Sequence, residues 1–237
     1  MALAILIALF VIIFINKKYF KEISIDTICD LSFVLIITGL LGARLYYVIL
    51  DAPYFFRHPF EIPMIWNGGI SIQGAILGGI IGGYIYAKQN NMNFLKLADL
   101  FSFGLITGQI IGRWGNYFNS EAFGLPTELP WKLYIPYQLR PIEYKNYEFF
   151  HPTFLYESIL NLIILIILYL ILRKNYETRK NGLLFFSYLI LYSIARLLTE
   201  TLRVDSILNI NNFHIAHIAA IVLILTGVIG LYKISQK

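Results

Sequence analysis

The sequence predicts an all-α polytopic membrane protein of about seven transmembrane helices, N-terminus out and C-terminus in, with a small extracytoplasmic cap between helices 4 and 5. Three observations carry that prediction. Of 237 residues, 58% are hydrophobic and only 14% charged, against roughly a quarter charged in soluble proteins, so polar surface is too scarce to cover a soluble globule. The apolar residues fall into seven runs, mostly near the ~20 residues that cross ~30 Å of hydrocarbon as a helix. Lysine and arginine also segregate by loop. The same composition excludes a disordered chain, and the scattered net charge of +5 is no nucleic-acid footprint. The single cysteine, Cys29, cannot close an intrachain disulfide.

The runs are Met1–Ile15, Ile28–Leu50, Gly68–Ala87, Leu97–Phe118, Pro152–Leu172, Leu183–Arg203 and Phe213–Lys233. The first is the exception, since fifteen residues rise only about 22 Å as a helix. It has the length of a signal peptide, but Lys17, Lys18 and Lys21 follow it rather than precede it, so it is expected to be a short first span entering from outside. With that start, eleven basic residues lie at inner ends: Lys17, Lys18, Lys21, Lys88, Lys96, Arg173, Lys174, Arg179, Lys180, Lys233 and Lys237. Four lie outside, Arg57, Lys132, Arg140 and Lys145, and this asymmetry sets the orientation. The whole of 1–237 is expected to be one integral membrane domain, with 119–150 inserted in it as the cap.

Four arginines remain, Arg44, Arg113, Arg196 and Arg203, within or at the outer ends of spans two, four and six. A cation in hydrocarbon costs a few kcal/mol on insertion scales, ~3 at a helix centre, and is kept with a partner or a task. Each alone reads equally well as an arginine snorkelling to lipid headgroups. In span six, Tyr192, Arg196 and Glu200 recur every four residues and share a helix face, with Arg203 one turn beyond. That face is either a salt-bridge ladder or the polar wall of an anion-binding cavity.

Span four ends in Gly112-Arg-Trp-Gly-Asn-Tyr-Phe-Asn-Ser-Glu-Ala-Phe-Gly124. A helix cap needs one Gly or Asn; this block adds Arg113, Gly115, Asn116 and Glu121, a planar fork for phosphate oxygens among close-approaching backbone. Upstream, Gly74, Gly78 and Gly82 in span three and Gly104, Gly108 and Gly112 in span four read as ridges for close helix packing. Gly68-Gly69, ahead of Gln73, is a turn or a bend that presents free amides to an anion.

The outer loop alternates Trp131, Leu133, Ile135, Tyr137 and Leu139, which predicts a strand. It runs into His151-Pro-Thr-Phe-Leu-Tyr156-Glu157, with Pro152 suited to a helix start. His151 alone reads as a structural interfacial histidine; beside Tyr156 and Glu157 it is equally a site residue.

Together these blocks resemble the bacterial prolipoprotein diacylglyceryl transferases. The Gly112–Gly124 block is similar to that family's signature, and Gly42-Ala-Arg-Leu-Tyr-Tyr-Val48, Gly68-Gly69, His151–Glu157 and the Tyr192, Arg196, Glu200, Arg203 face follow in family order along the whole chain. The resemblance implies a multi-pass enzyme of the bacterial plasma membrane with its site towards the outer leaflet. It would transfer the diacylglyceryl group of phosphatidylglycerol to the lipobox cysteine thiol of a prolipoprotein signal peptide, forming a thioether and releasing glycerol phosphate. It implies no metal or cofactor. Arg113 and Arg196 would bind the headgroup and stabilise its departing charge, with Asn116, Glu121 and Glu200 positioning them. Arg44, Gly68, Gly69, Gln73, Gly115, His151, Tyr156, Glu157, Tyr192 and Arg203 would line the substrate site.

Two departures qualify the resemblance. The family usually has a histidine where this chain has Gln73, which cannot act as a base, and His217 stands near the start of span seven where the family commonly has glutamine; His217 is expected to compensate in part. The family also carries an outer Arg-Trp-Tyr-Gly-like segment at its start, and this chain begins beyond it: either a different start codon is used or this member lacks the arm, and weaker anchoring or lower activity is expected in the second case. The rival reading is a transporter or binding protein for an anionic solute or lipid, whose site would lie near the midplane and between internal repeats. Here the polar groups cluster at span ends, and no repeat extends beyond the glycine ridges.

Overall fold

The computed structural model describes residues 2–204, 209–210 and 213–236. Met1, at the start of the first apolar run, and Lys237, counted at the inner face, lie outside the described residues. Six helices among those residues are long and apolar enough to cross a membrane. The chain forms two compact units, residues 16–97 and residues 1–15 with 98–237.

The first run is longer than its apolar stretch. Helix α1 (Ala2–Ile15) continues as a π-helical turn, Asn16–Phe20, giving 19 residues in all. Lys21 bonds back five residues to the Asn16 carbonyl and takes φ 42, which ends the turn. The buried Asn16 amide donates to the Ile23 carbonyl at 2.7 Å.

In the unit of residues 16–97, α2 (Ile25–Leu50) is capped by Ser24, whose hydroxyl accepts the Thr27 N–H at 3.0 Å, with Asp26 complementing the first-turn dipole. It packs along α4 (Ile72–Gln89), and here the glycine ridge does what its spacing predicts. A Cβ on Gly42, Gly74 or Gly78 would run into the facing helix's backbone, and one on Gly82 into the Thr38 side chain. Only glycine lets the two backbones come this close. α4 itself is not among the six apolar helices: its glycines and its terminal Gln73, Lys88 and Gln89 dilute it. Between them lie α3 (Ala52–Arg57) and the loop to Ser71.

The other unit is built on α5 (Phe94–Phe118), α6 (Thr153–Lys174), α7 (Leu183–Glu200) and α8 (Ile215–Ser235). Buried Asp99 of α5 accepts the N–H groups of Gly182 and Phe185, both at 2.8 Å, and so caps α7 from a distance. Ser158 of α6 donates to the Ile110 carbonyl of α5 at 3.0 Å. Gly227 and Gly230 of α8 leave room for Phe186 and Ile190 of α7. The second glycine ridge departs from expectation. Gly104 packs against Ile12 of α1, but within the unit nothing lies within 4 Å of a Cβ built on Gly108, Gly112 or Gly115.

Residues 119–150 form a small substructure with its own core of Phe123, Ile135 and Phe150. The long strand predicted over 131–139 shrinks to β1 (Leu133–Tyr134), paired antiparallel with β2 (Phe149–Phe150). Pro136 has no N–H to extend the ladder, and Tyr137–Leu139 turns into a 3₁₀ helix. Arg140, buried, ties the turn by donating to the Ile135 and Lys145 carbonyls.

Candidate active site

The arginines of α5 and α7 converge on one carboxylate. Glu157, in the second turn of α6, takes Arg113 Nε at 2.5 Å, Arg196 Nη1 at 2.9 Å and Arg203 Nη1 at 3.7 Å. Arg196 turns its other nitrogen to Glu200, one helical turn on, at 2.7 Å. The carboxylates are the buried members, Glu157 at 8% side-chain exposure and Glu200 at 4%, while the three arginines keep 13–22%. The cations are thus pinned from behind and open in front.

Side chains below this network extend it. Tyr192 stacks on Tyr188 with ring centroids 5.8 Å apart, and Gln109 of α5 donates to the Tyr188 hydroxyl at 2.9 Å. Tyr192, Arg196, Thr199, Glu157 and the buried Asn161 surround a cavity of about 10 Å³, room for about one water. Asn161, Gln109 and Tyr188 were missed in the sequence, yet each stands four residues from a recognised member, Glu157, Arg113 and Tyr192 respectively.

Backbone ladders bring the distant segments together. Gly124 N–H donates to the His151 carbonyl at 2.9 Å, His151 N–H to Leu125 at 3.0 Å, and Leu125 N–H to Leu202 at 2.9 Å. Gly124 forms a β-bridge with Arg203, and Thr153 donates its hydroxyl to the Ala122 carbonyl. A Cβ on Gly124 would meet His151 Cβ and the Leu202 carbonyl at 2.8 Å and Thr153 at 2.9 Å, so the last glycine of the block is the seam of this junction. It also corrects span six. α7 ends at Glu200, and Arg203 reaches Glu157 from the following turn, not from a continued helix. Beside the seam, the Trp131 indole donates to the Tyr156 hydroxyl at 2.8 Å, and Tyr156 in turn lies 3.1 Å from His151 Nδ1.

The remaining candidates make contacts of their own. Arg44, in the unit of residues 16–97, is buried and spends its guanidinium on four backbone carbonyls: Ile62, Gly68 and Gly69 at 2.8 Å and Glu61 at 2.6 Å. It is a staple for the 58–69 loop rather than an open anion fork. Gly68 and Gly69 take φ 86 and 69 and turn carbonyls, not amides, to it; a side chain at Gly69 would strike Arg44 and Tyr47. Gln73 is exposed at the start of α4 and accepts the Ser71 hydroxyl at 2.5 Å. Asn116 accepts the Glu121 N–H through its carbonyl at 3.0 Å, and the exposed Glu121 carboxylate accepts from the Asn119 amide at 3.1 Å. Among the described residues, the carboxylates seen paired with these arginines are Glu157 and Glu200. Gly115 sits in α5 with open space where a Cβ would be, and His217 lies in the first turn of α8.

The chain is similar to known proteins over nearly all its length. The family model described as prolipoprotein diacylglyceryl transferase matches residues 1–233. A phosphatidylglycerol–prolipoprotein diacylglyceryl transferase of Acaryochloris marina is 46% identical over 212 residues, 90% of this chain and 77% of the relative. That of Thermosynechococcus vestitus is 43% identical over 238 residues, 99% and 88% of the two chains. A Thermotoga maritima relative of the same name is 44% identical over 221 residues, 92% and 74%. The chain belongs to the prolipoprotein diacylglyceryl transferase family.

Proposed function

We propose that this protein transfers the diacylglyceryl group of phosphatidylglycerol to the lipobox cysteine thiol of a prolipoprotein signal peptide, leaving a thioether and glycerol phosphate. The observation that carries the reading is the gathering of Arg113, Arg196 and Arg203 on Glu157, each arginine still partly open. Attack of sulfur on a glycerol carbon needs the phosphodiester held and its departing charge stabilised. Fixed guanidinium forks do both without rearranging as charge develops. Arg113 and Arg196 grip the headgroup, Arg203 adds to the field, and Glu157 and Glu200 hold the cations in register. Asn116, Glu121 and Gly115 shape the adjoining turn, and Tyr192 walls the site from below. Gly68, Gly69, Gln73, His151 and Tyr156 belong to the substrate side.

The protein works in the bacterial plasma membrane. Ile72–Gln89 is the remaining span, making seven; basic residues at the inner ends favour N-out and C-in, and 119–150 caps the outer side between the fourth and fifth spans. Lipid and signal peptide then arrive laterally, since neither needs to leave the bilayer. Incubating the purified protein with phosphatidylglycerol and a lipobox peptide tests this: the cysteine gains the mass of a diacylglyceryl group. A peptide of unchanged mass, with an active relative as control, overturns the assignment.

A further inference from the structure

Resting on the transfer reaction above, we infer that Tyr156 and His151 form the proton acceptor for the attacking thiol. A thiol near pKa ~8.5 is mostly protonated at neutral pH, and the thiolate is the nucleophile. Something beside the phosphate must take the proton. In the unit that holds the arginines, the two carboxylates of the network are unsuited, because Glu157 and Glu200 are buried under guanidinium groups.

The Trp131–Tyr156–His151 chain is suited. An indole N–H only donates, so Trp131 polarises the phenol at 2.8 Å and directs its proton to His151 Nδ1 at 3.1 Å. The oxygen of Tyr156 keeps a lone pair for an incoming S–H. All three side chains retain exposure. Trp131, Pro152 and Leu155 also wall an open groove of about 640 Å³ with Tyr117, Phe118 and Tyr134, which gives a thiol an approach to the phenol.

The relay lies at the right distance from the phosphate site. Arg203 and His151 flank Gly124 on either side in the backbone ladder, about 10 Å apart at two strand spacings of ~4.8 Å. Tyr156 directly precedes Glu157. Among the described residues, the charged groups around the relay are Arg203 across Gly124, Glu157 and Arg113 at the network, and Lys132 on the groove wall.

The step balances. The thiol proton passes to Tyr156 Oη as the phenol proton passes to His151 Nδ1, forming imidazolium. The sulfur lone pair forms the S–C bond while the glycerol C–O bond breaks and its electron pair leaves with the phosphate. The imidazolium proton then goes to water.

Two variants test the assignment in full-length protein with phosphatidylglycerol vesicles and a lipobox peptide. Tyr156→Phe keeps the ring and is expected to lose about 100-fold in transfer rate at pH 7. At pH 9.5 the thiol ionises unaided, and the deficit is expected to shrink to about threefold. Trp131→Phe, at an exposed position, shows a smaller loss with the same pH dependence and serves if Tyr156→Phe does not fold. An equal loss at both pH values, or no loss, overturns the relay while wild-type transfer stands. Absence of transfer by wild type at both pH values overturns the transferase reading, and this one with it.

Discussion

Glu157→Gln is the most informative single change. The amide keeps the shape and one carbonyl oxygen but removes the charge that Arg113, Arg196 and Arg203 share. At an effective dielectric of ~20, each close pair attracts by about 4 kcal/mol before desolvation and the mutual repulsion of the cations are subtracted. Removing one member of a buried pair typically costs ~3–5 kcal/mol, because its partners stay behind uncompensated. The guanidinium groups here are 13–22% exposed, so solvent softens that, and about 3 kcal/mol of lost stability is expected. That leaves a folded protein with misplaced forks.

Misplacing a positioning group by ~1 Å costs about 100-fold in turnover. The affinity for phosphatidylglycerol moves less, since the site has gained net positive charge while losing order. Initial rates across phosphatidylglycerol concentrations separate the two: kcat is expected to fall about 100-fold with KM within about threefold. Wild-type kcat in the variant refutes the reasoning. A loss confined to KM refutes it differently, by making Glu157 a ground-state contact with the lipid.

Three further outcomes follow from the geometry. Gly124→Ala places a methyl against His151, Leu202 and Thr153; a loss of about 1–3 kcal/mol in detergent unfolding and a comparable drop in activity are expected, as the seam carries both His151 and Arg203. Arg44→Lys surrenders a fork that engages four carbonyls, so limited proteolysis should cut within 58–69 at protease levels that spare wild type. Asp99→Asn leaves one of the Gly182 and Phe185 N–H groups facing an amide NH₂; about 1–3 kcal/mol of stability is lost by thermal unfolding, with transfer at permissive temperature retained.

Much of the helical frame was legible because its signals are local. Apolar runs gave six helices, four-residue spacing gave the Tyr192, Arg196, Glu200 face, and the Gly74, Gly78, Gly82 ridge marked α4 for close packing without naming α2 as its partner. What stayed hidden depends on partners far apart in sequence. A buried arginine looks the same whether it faces an anion or, like Arg44, carbonyls 17 to 25 residues away. Gly108 and Gly112 have the same four-residue spacing as the packed ridge of α4, yet nothing of their own unit lies within 4 Å of a Cβ built on them. Trp131 met Tyr156 across 25 residues, where an alternating pattern pointed instead to a long strand that Pro136 prevents. Glu157 was visible as a site residue, but its place at the centre needed three helices to converge.

The ratio of charges in the network bears on how the proposed reaction is accelerated. Among the described residues, the network pairs three guanidinium groups with two carboxylates. A phosphodiester enters with one negative charge and departs, as glycerol phosphate, approaching two. A site matched to the entering lipid alone would bind substrate and transition state alike and gain nothing in turnover. Here each arginine is held by a buried carboxylate, so the forks stay fixed, and their partly open donors stand ready where charge grows on the departing phosphate. The carboxylates also make the cluster possible, since three bare cations at a span end would repel one another and resist burial. Removing both acids should therefore separate binding from catalysis. Glu157→Gln with Glu200→Gln is expected to hold anionic lipid at least as tightly as wild type while turning over more slowly than either single variant. A double variant with weakened lipid binding and kcat preserved would show that the acids serve affinity, not the transition state.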